Sequence, residues 1–180
     1  MTQKLLFLPL IFAASVAMAS DTHDHDHEHD HDDHAEHAEH DDHSDHLAEV
    51  DGIRILHAWT TPPVDGAVRI YLDIENEGDV DITLVGAEVH GAGDAVVAGL
   101  DFKTDGMPAI EIGAFPVPAG TELKLVPTGP FLLLDGMDPA PVAGASFDMH
   151  LVLEPVGEVE VHVDVEAEGT TEHPHAGHNH

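Results

Sequence analysis

Cysteine is missing from this chain of 180 residues, and basic side chains are scarce, with five Lys and Arg against 36 Asp and Glu. Without cysteine, the chain can form no disulfide, offers no thiolate to a metal and has no residue to carry the lipid of a bacterial lipoprotein. The formal net charge of −31 excludes nucleic acid and anionic membrane surfaces as partners, because both are bound through basic patches.

Long apolar runs are also scarce, and the clearest lies at the N-terminus. Leu5 to Val16 follows the basic Lys4 and precedes the small residues of Ala17-Met18-Ala19, a pattern typical of a secretory signal peptide. The run is too short to span a bilayer comfortably. We therefore predict a signal peptide over residues 1–19, a location in the periplasm and no stable membrane insertion.

Histidine is what the chain has in excess, with 18 residues. Between residues 21 and 46 histidine alternates with carboxylates, first at every second and then at every third position, and a second cluster ends the chain. Neutral imidazole and carboxylate are ligands for Cu²⁺, Zn²⁺ and Ni²⁺. The predicted metal ligands are His23, His25, His27, His29, His31, His34, His37, His40, His43, His46, His173, His175, His178 and His180.

These histidines divide the chain into an N-terminal arm (residues 20–49), a domain (residues 50–167) and a C-terminal tail (residues 168–180). The like charges of the arm predict that it is disordered without metal. A flexible arm of this kind should hold several ions with moderate affinity, because ordering it costs free energy. The alternative interpretation, a merely solubilising tail, requires carboxylates but not the histidines.

The domain reads as β-structure throughout. Val68, Ile70, Leu72 and Ile74 alternate with polar residues, as do the valines between residues 159 and 165, and turn residues separate such segments. The pattern predicts an all-β fold, either an antiparallel β-sandwich or a barrel. The domain shows no phosphate-binding loop, no nucleophile elbow and no HExxH motif, so we expect a protein that is not an enzyme.

The order of features in the domain resembles the PCu(A)C family of periplasmic copper chaperones. The matching stretches are HAW at 57–59, TPP at 61–63, AVRIYLDIENEGD at 67–79, LVGAEV at 84–89, FPVPAGTELKLVPTGPFLLLDGM at 115–137 and FDMHLVLEPVGEVEVHVDV at 147–165. The resemblance implies a cupredoxin-like Greek-key sandwich that carries copper and delivers it to a partner protein.

The copper motif of that family is largely missing from this chain. The motif pairs a histidine with a methionine about ten residues later and adds an H-x-M pair, a donor set that suits Cu(I). Here the first histidine position falls near Ala98 and the H-x-M pair falls on Phe131-Leu132-Leu133, while Met107 is the ligand that remains. The resemblance therefore implies that the usual Cu(I) site is lost.

Two interpretations of the domain follow, and we favour the first. The domain is a scaffold whose metal chemistry has moved to the histidine segments, or it binds metal elsewhere. Weaker candidate ligands for the second interpretation are Met107, Met137, His57 and His90, with His150 as a further candidate. For His57, which shares a strand face with Ile55 and Trp59, a buried structural role is expected.

The predicted function is copper capture and buffering, or delivery to a periplasmic or membrane-bound acceptor protein. Zinc is the alternative metal, in a scavenger that feeds an importer. Irving–Williams ordering makes Cu²⁺ bind more tightly than Zn²⁺ in either role, so the sequence does not choose between them. A second alternative is an assembly or adhesion module that uses the sandwich for protein contact and the acidic arm for spacing.

Overall fold

The computed structural model describes residues 46–63 and 65–174, which belong to one compact unit spanning residues 40–180. The predicted signal peptide, the histidines from His23 to His43 and the last three histidines lie outside the described residues. The described residues form eleven strands: β1 (Leu47–Val50), β2 (Ile53–Thr60), β3 (Ala67–Asn76), β4 (Ile82–Val89), β5 (Gly93–Leu100), β6 (Ala109–Glu111), β7 (Phe115–Val117), β8 (Thr121–Leu125), β9 (Phe131–Asp135), β10 (Ser146–Glu154) and β11 (Gly157–Val165).

The strands follow the order β1-β2-β11-β10-β4-β5-β9-β3-β8, and an additional β2–β3 pairing closes the middle seven into a ring. Neighbouring strands pair antiparallel, except β2 and β11, which run parallel. The prediction of an all-β domain is confirmed. In the part of the chain that the structure describes, no helix is long and apolar enough to cross a membrane.

The core fills the ring with side chains at alternate strand positions. On β3, Val68, Ile70, Leu72 and Ile74 are each at most 1% exposed, as the alternation predicts. A smaller cluster lies apart from this main core and is built from Trp59, Tyr71, Ala98 and Phe131. Met137, in the loop after β9, packs partly buried against the main core.

Two features of the first strands depart from the sequence-based expectations. Strand β1 starts at Leu47, ahead of the expected start of the domain at residue 50. The register between β2 and β3 shifts between Leu56 and Trp59, and His57 has a positive φ of 52°. Because of this bulge, Ala58 rather than His57 packs into the main core, and His57 is only partly buried. The expected full burial of His57 is therefore not observed, although its Nδ1 is shielded from solvent.

Candidate metal centre

Two strand pairings bring the ends of the domain together beside β2. Strand β1 pairs antiparallel with β2, and the backbone N–H of His57 donates to the carbonyl oxygen of His46 at 3.0 Å, one position beyond the last β1 pair. On the other side, β11 runs parallel to β2, with Asp164 opposite Trp59. Since residues on β11 alternate between core and surface, the carboxylate of Asp164 lies on the outer face, where His46 also lies.

The chain after β11 returns to the same place. The backbone N–H of Glu166 donates to the carbonyl oxygen of Thr60 at 2.8 Å, and a turn follows in which the N–H of Thr170 donates to Ala167 at 3.2 Å. The tail then places His173 against β2 and β11. This residue is only 4% exposed, which is unusual for a histidine in a chain terminus.

His46, Asp164 and His173 form a compact group, called here the His46–Asp164–His173 centre. Nδ1 of His46 lies 3.2 Å from Oδ2 of Asp164, and Nε2 of His173 lies 3.7 Å from the same oxygen. One potential ligand atom from each residue lies within 4.8 Å of the other two. A bound ion holds neighbouring ligand atoms roughly 3–3.5 Å apart, so small side-chain rotations would close the group on a metal.

Two further potential ligands surround the centre. The imidazole of His57 lies 5.5 Å from that of His173, measured between ring centroids. Oε1 of Glu166 lies 3.8 Å from Nε2 of His173. A cavity of about 510 Å³ opens beside the group and is lined by His46, Asp164, Glu166 and His173 among others, which leaves room for an ion with bound water.

The surroundings of His173 lower its pKa, which favours the neutral imidazole that binds a metal. Burial lowers the pKa of His173 to about 4, and the neighbouring His46 and His57 act in the same direction, whereas the Asp164 carboxylate opposes them. At neutral pH the ring is therefore neutral and carries the lone pair that a metal requires. The carboxylates of Asp164 and Glu166 supply the negative charge that an incoming cation needs.

The chemistry of the donors narrows the choice of metal. Imidazole nitrogen and carboxylate oxygen suit Cu²⁺ and Zn²⁺, while Cu(I) prefers the soft sulfur of methionine or cysteine. Among the described residues, Met107 is exposed in the loop before β6, Met137 packs against the main core and Met149 is fully buried.

Apolar side chains occupy the positions at which the resemblance predicts the copper ligands of the family. Ala98 on β5 pairs with Phe131 on β9, and both are fully buried. Trp59 and Tyr71 pack in the same cluster, with ring centroids 4.6 Å apart. The side chains at Ala98 and Phe131, where the family motif has ligands, offer a metal no donor atom.

The structure divides those predicted ligands that it describes into two classes. His46 and His173 come together in the centre, and His57 lies next to it. His90 is exposed at the end of β4 and does not belong to the group, while Met107 is exposed before β6 and Met137 packs against the main core. Sequence reasoning missed Asp164 and Glu166. The alternation along β11 predicts that Asp164 faces outward, but its closeness to His173 depends on the parallel pairing with β2.

Comparisons with known proteins agree with this fold. The model of the LpqE-like family matches residues 53–165. The apo PCuAC domain from PmoF1 is 29% identical, with a TM-score of 0.57 over 68% of this chain and 99% of that one. The copper-bound PCuAC domain from PmoF2 is 23% identical, with a TM-score of 0.56 over 68% and 98% of the two chains.

Apo-DR1885 from Deinococcus radiodurans shares the fold at 18% identity, with a TM-score of 0.50 over 86% of this chain and all of that one. Among curated proteins, no sequence matches the chain significantly. The predicted cupredoxin-like sandwich and the predicted family are both confirmed. The chain belongs to the LpqE-like family, and residues 53–165 form a PCu(A)C-type domain.

Proposed function

We propose that this protein binds copper in the manner of a chaperone, collecting Cu²⁺ with its histidine segments and holding it at the His46–Asp164–His173 centre. The observation that carries the proposal is the position of His46 and His173. The last histidine of the arm and the first of the tail lie beside one carboxylate at the same end of the domain. Ions gathered by either segment would therefore arrive at one place.

The copper-bound structure of the PmoF2 domain supports copper as the metal. The chemistry of the centre supports the cupric form, because its donors are nitrogen and oxygen. Delivery to an acceptor protein would proceed by ligand exchange, in which an incoming imidazole or thioether replaces one ligand at a time. Export through the predicted signal peptide would place this exchange in the periplasm.

A titration of the full-length chain tests the centre through its only tryptophan. Trp59 lines a cavity together with His57 and His173, so Cu²⁺ bound at the centre should quench the fluorescence of Trp59. We expect strong quenching in the first equivalents of Cu²⁺. The double substitution Asp164→Asn and His173→Gln should abolish this phase, even though the arm still binds copper.

The matched control is His90→Gln, which removes an exposed imidazole outside the centre. We expect Cu²⁺ to quench the fluorescence of Trp59 in this variant as strongly as in the wild type. Equal quenching of the wild type and of the double variant would overturn the proposal, because the copper would then lie elsewhere.

Zinc remains the alternative metal, since the same donors bind it. Metal analysis of the protein purified from its native periplasm without affinity resin would decide between them. Copper that decreases with the double substitution supports the proposal, while zinc in its place would assign the centre to a zinc-binding protein.

A further inference from the structure

A second set of histidines and carboxylates lies on the outer face of the β10–β11 hairpin. In the register of this hairpin, Asp148 is opposite His162 and His150 is opposite Glu160. Their neighbours Met149, Leu151 and Val161 point into the main core, so the alternation of the strands places all four polar side chains on the other face. The sheet therefore presents two imidazole–carboxylate pairs side by side.

The two pairs differ in their contacts. Nδ1 of His162 lies 2.8 Å from Oδ1 of Asp148, whereas Nε2 of His150 lies 3.9 Å from Oε2 of Glu160. A carboxylate that holds one ring nitrogen of a histidine fixes the orientation of the ring and makes the other nitrogen a better metal ligand. The imidazole of His162 is 36% exposed and can reach an ion in solvent.

A cavity lies beside the closer pair and shares one lining residue, His46, with the cavity of the metal centre. It measures about 220 Å³, and its polar lining comes from His46, Asp148, Glu160 and His162. His150 does not line it. His46 also lines the larger cavity that contains Asp164 and His173. His46 thus lines two cavities, one beside each group of potential ligands.

We propose that Asp148, Glu160 and His162 form a second binding site for divalent metal ions, completed by His46, from which the ion passes to the His46–Asp164–His173 centre. This inference rests on the proposed function, because it supplies the route by which the centre is loaded. The transfer is a ligand exchange at constant oxidation state. The bonds from the metal to Asp148, Glu160 and His162 break as bonds to Asp164 and His173 form, and His46 remains a ligand throughout.

The first test measures the rate of loading. Full-length protein is mixed with Cu²⁺ in a stopped-flow fluorimeter, and quenching of Trp59 reports arrival at the centre. The substitution His162→Gln should slow the quenching by about tenfold, the scale on which loss of a metal-site partner acts. Its final amplitude should remain that of the wild type, because the centre itself is intact.

The matched control is His150→Gln, which removes an imidazole from the same sheet face but outside the cavity. It should load at the wild-type rate. Equal rates for His162→Gln and the wild type would overturn the route, as would equal slowing by both substitutions. Absence of any quenching that depends on Asp164 and His173 in the wild type would instead overturn the centre, and the route with it.

A second measurement tests the outer site even if the centre fails. In the Asp164→Asn, His173→Gln variant, a small fraction of an equivalent of Cu²⁺ should broaden the imidazole NMR signals of His162 more than those of His150. Equal broadening of the two histidines would show that Asp148, Glu160 and His162 form no site.

Discussion

The imidazoles of His46 and His173 meet edge to face, with ring centroids 5.2 Å apart, although His46 precedes the first strand and His173 follows the last. The contact brings His46 and His173, which border the two histidine-rich segments, to one edge of the PCu(A)C-type domain. An ion bound between these rings and Asp164 would join the arm, strand β11 and the tail. Metal binding at this point is therefore expected to be coupled to the stability of the fold.

The first prediction concerns this coupling. Zn²⁺, which is redox-inert, should raise the free energy of unfolding by about 2–3 kcal/mol at a free concentration a hundredfold above the dissociation constant of the centre. Ions held only by the arm would stabilise little, since an arm that binds equally well in the unfolded chain does not favour the folded state. Thermal unfolding with and without Zn²⁺ measures the effect.

The substitution Asp164→Asn should remove most of this stabilisation by Zn²⁺. Asp94→Asn, which neutralises an exposed carboxylate on β5, is the matched control and should retain it. A Zn²⁺ effect of the same size in both variants would mean that the stabilising ion is bound away from the centre.

The second prediction concerns pH. Because burial lowers the pKa of His173 from 6.5 to about 4, the unfolded chain takes up a proton in this range that the folded chain does not. The resulting stabilisation is fully present above about pH 6.5 and is lost as the pH falls towards 4. The shift corresponds to roughly 3 kcal/mol at most.

Chemical denaturation of the metal-free protein at pH 7 and pH 4.5 measures this loss. The substitution His173→Gln should make the decrease between the two pH values smaller, because other titrating groups contribute equally to both proteins. An NMR titration of the His173 ring should give a midpoint well below 6. A midpoint near 6.5 would contradict the prediction.

The main strands could be read from the sequence because their signals are local. The alternation of Val68, Ile70, Leu72 and Ile74 with polar residues predicts which face of β3 is buried, and the structure confirms this prediction. Strand β1 gives no such signal, since its four residues are exposed or only partly buried. The sequence did not predict the bulge at His57 either, because a positive φ is uncommon in residues other than glycine and no local pattern marks it here.

The sequence predicted only part of the candidate centre, again because only local signals can be recognised in a sequence. His46 and His173 were predicted as ligands from their composition, but nothing local assigns them to one ion. Their meeting depends on the parallel pairing of β2 with β11, a contact between distant parts of the chain. Asp164 looks like any outward-facing carboxylate until that pairing is known, which is why its predicted role arises from the structure alone.

The third prediction concerns Asn76, a buried polar residue at the end of β3 that is 1% exposed. Its Nδ2 donates to the carbonyl oxygens of Val80 and Val117, at 2.9 Å each, and its Oδ1 accepts the N–H of Gly78. Asn76→Ala leaves these backbone groups without this partner, so we expect a loss of about 2–4 kcal/mol in the free energy of unfolding. Urea denaturation measures the change.

Thr104→Ala is the control for Asn76→Ala, because it removes the exposed hydrogen bond from Thr104 to Asp101. Its effect should stay within about 0.5 kcal/mol. Similar losses in the two variants would show that the burial of Asn76 does not determine its importance.

The last prediction concerns the apolar cluster at the position of the family motif. Phe131 is fully buried, lies near Tyr71 with ring centroids 6.3 Å apart and has the guanidinium of Arg69 5.2 Å from its ring centroid. Phe131→Ala should therefore cost about 3–5 kcal/mol of unfolding free energy, through lost burial and a cavity. Phe102→Ala, at a ring that is 71% exposed, should change it by less than about 0.5 kcal/mol. A small loss for Phe131→Ala, similar to that for Phe102→Ala, would contradict the interpretation that aromatic packing now stabilises the domain at this position.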